Sequence, residues 1–290
     1  MTKTLLSFGH GYSAQALARR LVPKGWRVIG TTRTGEKAAR LASTGVEPLI
    51  WPGSEPTEAL AAATHLLISP APTEAGDPVL NALDAELRRA ASHIEWAGYL
   101  STTGVYGDHG GGWVDEETPL APSTKRGALR VMAETAWRDF ADETGLPIHI
   151  FRLAGIYGPG RGPFAKVRAG TARRIVKEGQ VFSRIHVEDI AAVLEASINQ
   201  PHPGAAYNLC DDDPAPPQDV IAHAAELLGL PLPPEVNFET AEMTPMARSF
   251  YAESKRVRND RIKDELGVRL MFPDYRTGLA NLLARERAED

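Results

Sequence analysis

The chain has 290 residues, 43% of them hydrophobic and 24% charged, with a formal net charge of −5. That size and apolar content predict one large domain, or a domain with a smaller lobe, and the acidic balance argues against a general nucleic-acid binder. A single cysteine, Cys210, excludes an internal disulfide and suits a reducing compartment; no run approaches the roughly 18 apolar residues of a membrane span, and MTKTLLSFGH is too poor in them for a signal peptide, so the expectation is a cytoplasmic protein with neither membrane nor nucleic-acid partner.

Thr4 to Phe8 is a short apolar run ending at a glycine and reads as a buried strand. Ala14, Leu17, Ala18, Leu21 and Val22 recur at helical spacing, and Pro23-Lys24-Gly25 stops that helix. Trp26–Thr31 is the second strand and Glu36–Ala42 the second helix. Glu47–Trp51 and His65–Ser69 follow as strands, then a helix over Pro78–His93 and a fifth strand over Trp96–Thr102. Strands of this length alternating with helices predict right-handed crossovers and a parallel sheet. Further on, a helix begins near Ser123 or Thr124, Ile148–Leu153 is a sixth strand, and the glycines of 158–162 mark a loop leaving the sheet. His186–Ile198 holds a strand end and a helix, Ala206–Leu209 a short strand, 211–217 a linker and Val220–Leu228 another helix. The predicted class is α/β, a Rossmann-type doubly wound parallel sheet of residues 1–157 and 183–209, with a small C-terminal substrate lobe of residues 158–182 and 210–290.

The stretch Gly9-His10-Gly11-Tyr12-Ser13-Ala14 lies between the first strand and first helix, the context a dinucleotide-binding turn requires. Gly9 permits the tight turn, Gly11 lets the backbone approach a pyrophosphate, and Ala14 allows close helix–strand packing. The amides at the helix start, around Tyr12 and Ser13, then hold the phosphates. Arg33 follows the second strand, where an acid would select NAD; arginine suits the 2′-phosphate, so NADP is expected over NAD. The alternative for Arg33 is a solvated loop charge. Ser69 and Ala71, past the fourth strand, fall under the adenine or ribose, and Ala154, past the sixth, lies on the cofactor side.

GHGYSA at 9–14, STTGVYG at 101–107, Glu134, FRLAGIYGPG at 151–160, RIHVEDIA at 184–191, AYNLCDD at 206–212 and KRVRNDRIKDELG at 255–267 together resemble the extended short-chain dehydrogenase/reductase superfamily, NAD-dependent epimerase/dehydratase type, in an atypical branch. The resemblance implies a Thr at 102 that polarises the substrate oxygen. It also implies a Tyr and a Lys one helical turn apart for proton transfer. With Glu134 setting the register, those two positions hold Arg126 and Arg130. Arginine is no general acid near neutrality, because its pKa exceeds about 12; Arg130 could keep the ribose contact. Thr103 and Gly104 stand where dehydratases carry Asp and Glu. Tyr106 and Tyr157 are the remaining candidates for a replacement acid, and the alternative for each is packing with a bonded hydroxyl. His186 and Asp189 read as a structural tie. No paired ligand spacing points to a metal, and no G-x-S-x-G turn to a serine hydrolase.

Residues 158–182 carry Arg161, Lys166, Arg168, Arg173, Arg174 and Lys177 against Glu178. With Arg126 and Arg130 added, this predicts a pocket for a phosphate, nucleotide diphosphate or carboxylate, and so a small anionic substrate, bound by Arg126 and Arg161; the alternative is a solvated basic face. Two functions fit the sequence. One is an NAD(P)-dependent oxidoreductase or epimerase with a non-standard proton donor, acting on an anionic, sugar-phosphate-like or nucleotide-sugar-like molecule. The other is a non-catalytic NAD(P)-binding structural or redox-sensing protein. Both a monomer and a homodimer are compatible with the charged outer faces of 78–93 and 124–142.

Overall fold

A computed structural model describes residues 3–289. Its first half follows the expected alternation: β1 (Thr4–Phe8), α1 (Tyr12–Leu21), β2 (Arg27–Thr32), α2 (Gly35–Ala42), β3 (Glu47–Ile50), α3 (Thr57–Ala62), β4 (His65–Ile68), α4 (Pro78–Ala90) and β5 (Trp96–Thr102). A two-residue strand, β6 (Trp113–Val114), precedes α5 (Lys125–Thr144) and β7 (Ile148–Leu153). Then come β8 (Gly155–Tyr157), α6 (Phe164–Arg168), β9 (Arg174–Val176), β10 (Arg184–His186), α7 (Val187–Asn199) and β11 (Ala206–Leu209). The remainder is α8 (Pro217–Leu228), β12 (Glu235–Asn237), α9 (Pro245–Phe250), β13 (Arg256–Val257), α10 (Asp260–Asp264) and α11 (Tyr275–Glu289).

Seven strands form one sheet in the order β11-β7-β5-β4-β1-β2-β3, and every neighbouring pair is parallel. The architecture is a Rossmann-like α/β fold. Because helices cover both faces, the inner strands are buried along their whole length, and β1, β4 and β7 read as continuous buried runs. Alternate residues sort to opposite faces. Leu5, Leu67, Trp96 and Phe151 pack with Leu17 and Leu21 of α1 and Ile190 and Leu194 of α7. Leu6, Phe8, Ile68 and Tyr99 pack on the other face with Leu83 and Leu87 of α4 and Trp137 and Phe140 of α5. Val257, Ile262, Leu266 and Val268, late in the chain, return to the first of these faces. A separate small core joins Phe164 and Val167 of α6, Val220 and Ala224 of α8, and Leu279, Leu282 and Leu283 of α11.

One buried ion pair ties the sheet to α5. Arg152 Nη2 meets Glu134 Oε2 at 2.9 Å, with the side chains only 5% and 2% exposed. Ser101 donates to the same carboxylate, and Arg152 Nη1 also donates to the Tyr106 hydroxyl at 2.9 Å. The strand order reverses between β1 and β4. In open α/β sheets a ligand crevice opens at that switch point, beyond the carboxyl ends of the strands.

Candidate active site

The crevice at the switch point is a cleft of about 940 Å³. Its first wall is the turn after β1. Gly9 has φ +66, and a Cβ there would come within 3.1 Å of the Pro70 ring, so both conformation and space demand glycine. Thr31 pins the turn to β2: its hydroxyl accepts from Gly9 N at 2.7 Å and its carbonyl from His10 N at 3.0 Å. Gly11 caps α1, no side chain bonds the free amides there, and no acid occupies the first turn. An uncapped helix start facing a cleft is an anion site. Gly9, Gly11, Tyr12, Ser13 and Ala14 line it, with Ser69 and Ala71 opposite. Ser69 Oγ is buried without a partner among the described residues, an orphan that a ligand hydroxyl or phosphate would satisfy. These features fit a dinucleotide. Arg33 is exposed just past β2 and outside the lining.

The second wall is the end of β5. Thr102 lines the cleft, and its Oγ1 accepts from Gly104 N at 3.2 Å. The helix carrying Arg126 and Arg130 starts directly against this turn: a Cβ on Gly127 would lie 2.6 Å from the Gly104 carbonyl. Arg130 Nη1 bends back to donate to the Tyr99 hydroxyl (2.9 Å) and the Leu100 carbonyl (2.7 Å). Arg126 is exposed, with its guanidinium 5.0 Å from the Phe250 ring centre. Ala154 lines the cleft past β7.

The two tyrosines part company. Tyr106 is fully buried and outside the lining; its hydroxyl donates to Asn208 Oδ1 at 2.7 Å and accepts from Arg152. Burial pushes it up to about 12. Tyr157 does line the cleft, yet its hydroxyl points to the Asp274 carbonyl at 3.4 Å. Burial first, then the nearby Asp211, Asp189 and Asp274 carboxylates, raise it further still. A proton donor at neutral pH needs the opposite environment. His186 Nδ1 caps α7 by accepting from Glu188 N at 3.2 Å, and Asp189 accepts from Met271 N and Phe272 N.

Of the six cations of 158–182, Arg161 alone among the described residues lines the cleft. Arg168 pairs with Glu286 and Arg174 with Glu235, while Lys177 donates to the Tyr251 carbonyl, so half of these cations are engaged within the fold. Arg161 stands 5.5 Å from the Tyr12 ring centre, whose hydroxyl donates to Pro159 O at 2.9 Å. It therefore lies at the start of α1. Sequence reasoning missed the third wall altogether: Phe250, Tyr251, Glu253, Lys255 and, beside them, Arg184. No spacing in the chain links 253–255 to Thr102; only the chain's return through β13 beside β6 does. No group of His, Cys, Asp or Glu able to hold a metal occurs among the described residues.

Asp211 lies behind this wall, buried, with neither carboxylate oxygen hydrogen-bonded among the described residues. Burial pushes it up to about 8 despite the opposing charge of Arg184. An acid whose folded pKa exceeds the unfolded value of about 3.9 favours folding in its neutral form. That stability is complete below pH ~4 and is lost as pH rises through about 8. Asp211→Asn is therefore expected to match the native chain in urea unfolding near pH 4 and to exceed it increasingly up to pH 8; a gap independent of pH would show that Asp211 is ionised throughout.

The profile of the NAD-dependent epimerase/dehydratase family matches residues 79–210. Protein YeeZ of Escherichia coli K12 is 31% identical over 287 residues, spanning 94% of this chain and 97% of YeeZ. A solved structure of a functionally unknown conserved protein from Silicibacter pomeroyi DSS is 62% identical, covers 98% of this chain and 99% of that one, and superposes with a TM-score of 0.93. A dTDP-glucose 4,6-dehydratase from Bacillus anthracis strain Ames, solved with NAD, shares the fold at a TM-score of 0.80 and 15% identity, over 100% of this chain and 98% of its own. With its sheet order, its glycine turn and a full-length relative above 30% identity, this chain belongs to the NAD-dependent epimerase/dehydratase family.

Proposed function

We propose that the protein is an NADP(H)-dependent oxidoreductase or epimerase acting on a small anionic substrate, of the sugar-phosphate or nucleotide-sugar kind. The observation that carries this reading is a single cleft that joins an uncapped helix start to Thr102 and Arg126. The amides of Gly11, Tyr12 and Ser13 would hold the diphosphate, Ser69 and Ala71 would run along the ribose, and Arg33 would reach the 2′-phosphate. Arg161, beside Tyr12, would serve the diphosphate as well as the substrate. A bound nicotinamide dinucleotide supplies hydride exchange. Thr102 Oγ1 accepts from Gly104 N and keeps its hydroxyl hydrogen for a substrate oxygen, while the exposed Arg126 offers a fork to a phosphate or carboxylate. Residues 158–182 and 210–290 form the substrate lobe in this reading, and the lone buried Cys210 suits a cytoplasmic setting.

A second reading, a cofactor-holding protein without turnover, draws on Arg130. Its guanidinium is tied to β5 where the family resemblance implies a proton-transfer lysine.

Calorimetric titration with NADPH and NADH tests the cofactor assignment. The native chain is expected to prefer NADPH, and Arg33→Ala to weaken NADPH by roughly tenfold, the low end for a hydrogen bond to a charged group because Arg33 is exposed, while leaving NADH unchanged. Equal native affinities would sink the NADP assignment. A panel of phosphorylated sugars, nucleotide sugars and keto acids, followed at the nicotinamide absorbance, separates the two readings.

A further inference from the structure

Proton transfer in this cleft needs a titratable side chain beside Thr102. Among the described residues, those lining the cleft, arginines aside, are Tyr12, Tyr157, Tyr251, Glu253 and Lys255, with no His, Asp or Cys. Tyr12 is committed to Pro159 at the far end, on α1, and Tyr157 to Asp274. Tyr251 packs its ring between Phe182 and Phe238, and burial raises all three phenols.

Glu253 and Lys255 stand apart from these. Lys255 is the one buried lysine among the described residues. Its ammonium donates to Glu253 Oε2 at 2.6 Å and to the Gly107 carbonyl at 2.6 Å, which leaves its third N–H unassigned. Gly107 closes the short 3₁₀ turn that begins next to Thr102. The other oxygen of Glu253 accepts from Ser123 Oγ at 2.7 Å, one residue before the Thr124 cap of α5. The pair thus bridges the β5 turn, at Gly107, and the start of α5, at Ser123, two segments that meet at Gly104, two residues past Thr102. Its side chains are 9% and 11% exposed while still facing the cleft. A buried ion pair is costly to desolvate and is weak support for stability alone, so its retention in a cleft wall points to chemistry.

We propose that Lys255 is the proton-transfer residue of this cleft and Glu253 its positioning residue. The inference rests on the cofactor-dependent function proposed above and names the group that does the acid–base work there. In the reducing direction a Lys255 N–H bond breaks, the proton forms the O–H bond of the product, and the electron pair stays on nitrogen. Solvent returns a proton to the amine while Glu253 holds it in place. Oxidation runs the same transfer backwards.

The first test needs no substrate. The nicotinamide ring is positive in NADP⁺ and neutral in NADPH, so an uncompensated charge near it changes the ratio of their affinities. Glu253→Gln leaves Lys255 unbalanced and should shift the ratio several-fold toward NADPH. Lys255→Met leaves Glu253 unbalanced and should shift it several-fold toward NADP⁺, while Lys255→Arg and the exposed control Lys166→Met should hold the native ratio. Calorimetry gives each constant, and far-UV circular dichroism confirms folding; if Lys255→Met does not fold, Glu253→Gln carries the test. An unmoved ratio in the folded variants overturns the proposal alone. Failure of the native chain to bind either dinucleotide defeats the cofactor reading, and this proposal with it. Where a panel substrate turns over, Lys255→Met should lose roughly 10²–10⁴ in kcat, and full retention of kcat overturns the proton role.

Discussion

Glu134→Ala is expected to lower the unfolding free energy by about 3–5 kcal/mol, the range seen when one partner of a buried ion pair is removed. The expectation follows from what is left behind. Arg152 would keep its charge in a site where the two side chains are only 5% and 2% exposed, with the Tyr106 hydroxyl as its remaining close partner, and Ser101 would lose its acceptor. Urea unfolding should show a lower midpoint with an unchanged slope. Arg152→Met combined with Glu134→Leu removes both charges and should recover much of the loss. If Glu134→Ala alone leaves the midpoint in place, water reaches Arg152 and the pair is not the tie between β7 and α5 described above.

Thr102→Ala carries the other large effect. Loss of one hydrogen-bond donor aimed at a developing oxyanion typically costs about 10²–10³ in kcat. Thr102 ends β5 in the cleft wall, and its neighbour Ser101 is anchored to Glu134, so the hydroxyl is placed by the core beneath it. With a turning-over substrate from the panel, Thr102→Ala should lose roughly that factor while binding of NADPH alone stays native. Undiminished turnover in Thr102→Ala would move the reaction away from the end of β5.

The sheet was legible because parallel strands buried on both faces are continuous apolar runs, as in β1, β4 and β7. Glycine 9 was legible for a different reason: a left-handed turn against Pro70 admits no side chain. The helix expected over 78–93 ends instead at Ala90, with a 3₁₀ turn over 91–93. The helix expected from Val220 begins at Pro217, since proline is well suited to a first turn, where its missing N–H has no partner to lose. The six-residue α3 and the two- and three-residue strands β6, β8, β9, β12 and β13 are absent from the sequence reading, because segments that short carry no measurable period. The candidate site divides the same way. Its cofactor wall is local in sequence, from Gly9 to Ala14, but the wall with Glu253 and Lys255 meets Gly107 and Ser123 across more than a hundred residues. The basic run at 158–182 reads in sequence as one cationic surface, whereas in the fold Arg168 and Arg174 are paired with Glu286 and Glu235.

The late return of the chain sets an order of events during synthesis. A ribosome that has released β1 to β5 has made the dinucleotide turn and Thr102, but none of the three cores is finished. The first face still lacks Val257, Ile262, Leu266 and Val268, and the small core lacks Leu279, Leu282 and Leu283. β6 must wait, unpaired, for β13. Sheet closure therefore depends on contacts of long sequence separation, the kind that slows folding and leaves apolar surface open meanwhile. A nascent chain stalled before residue 250 presents a cleft without its third wall, with Phe151 and Tyr207 already made and part of their cover not yet synthesised.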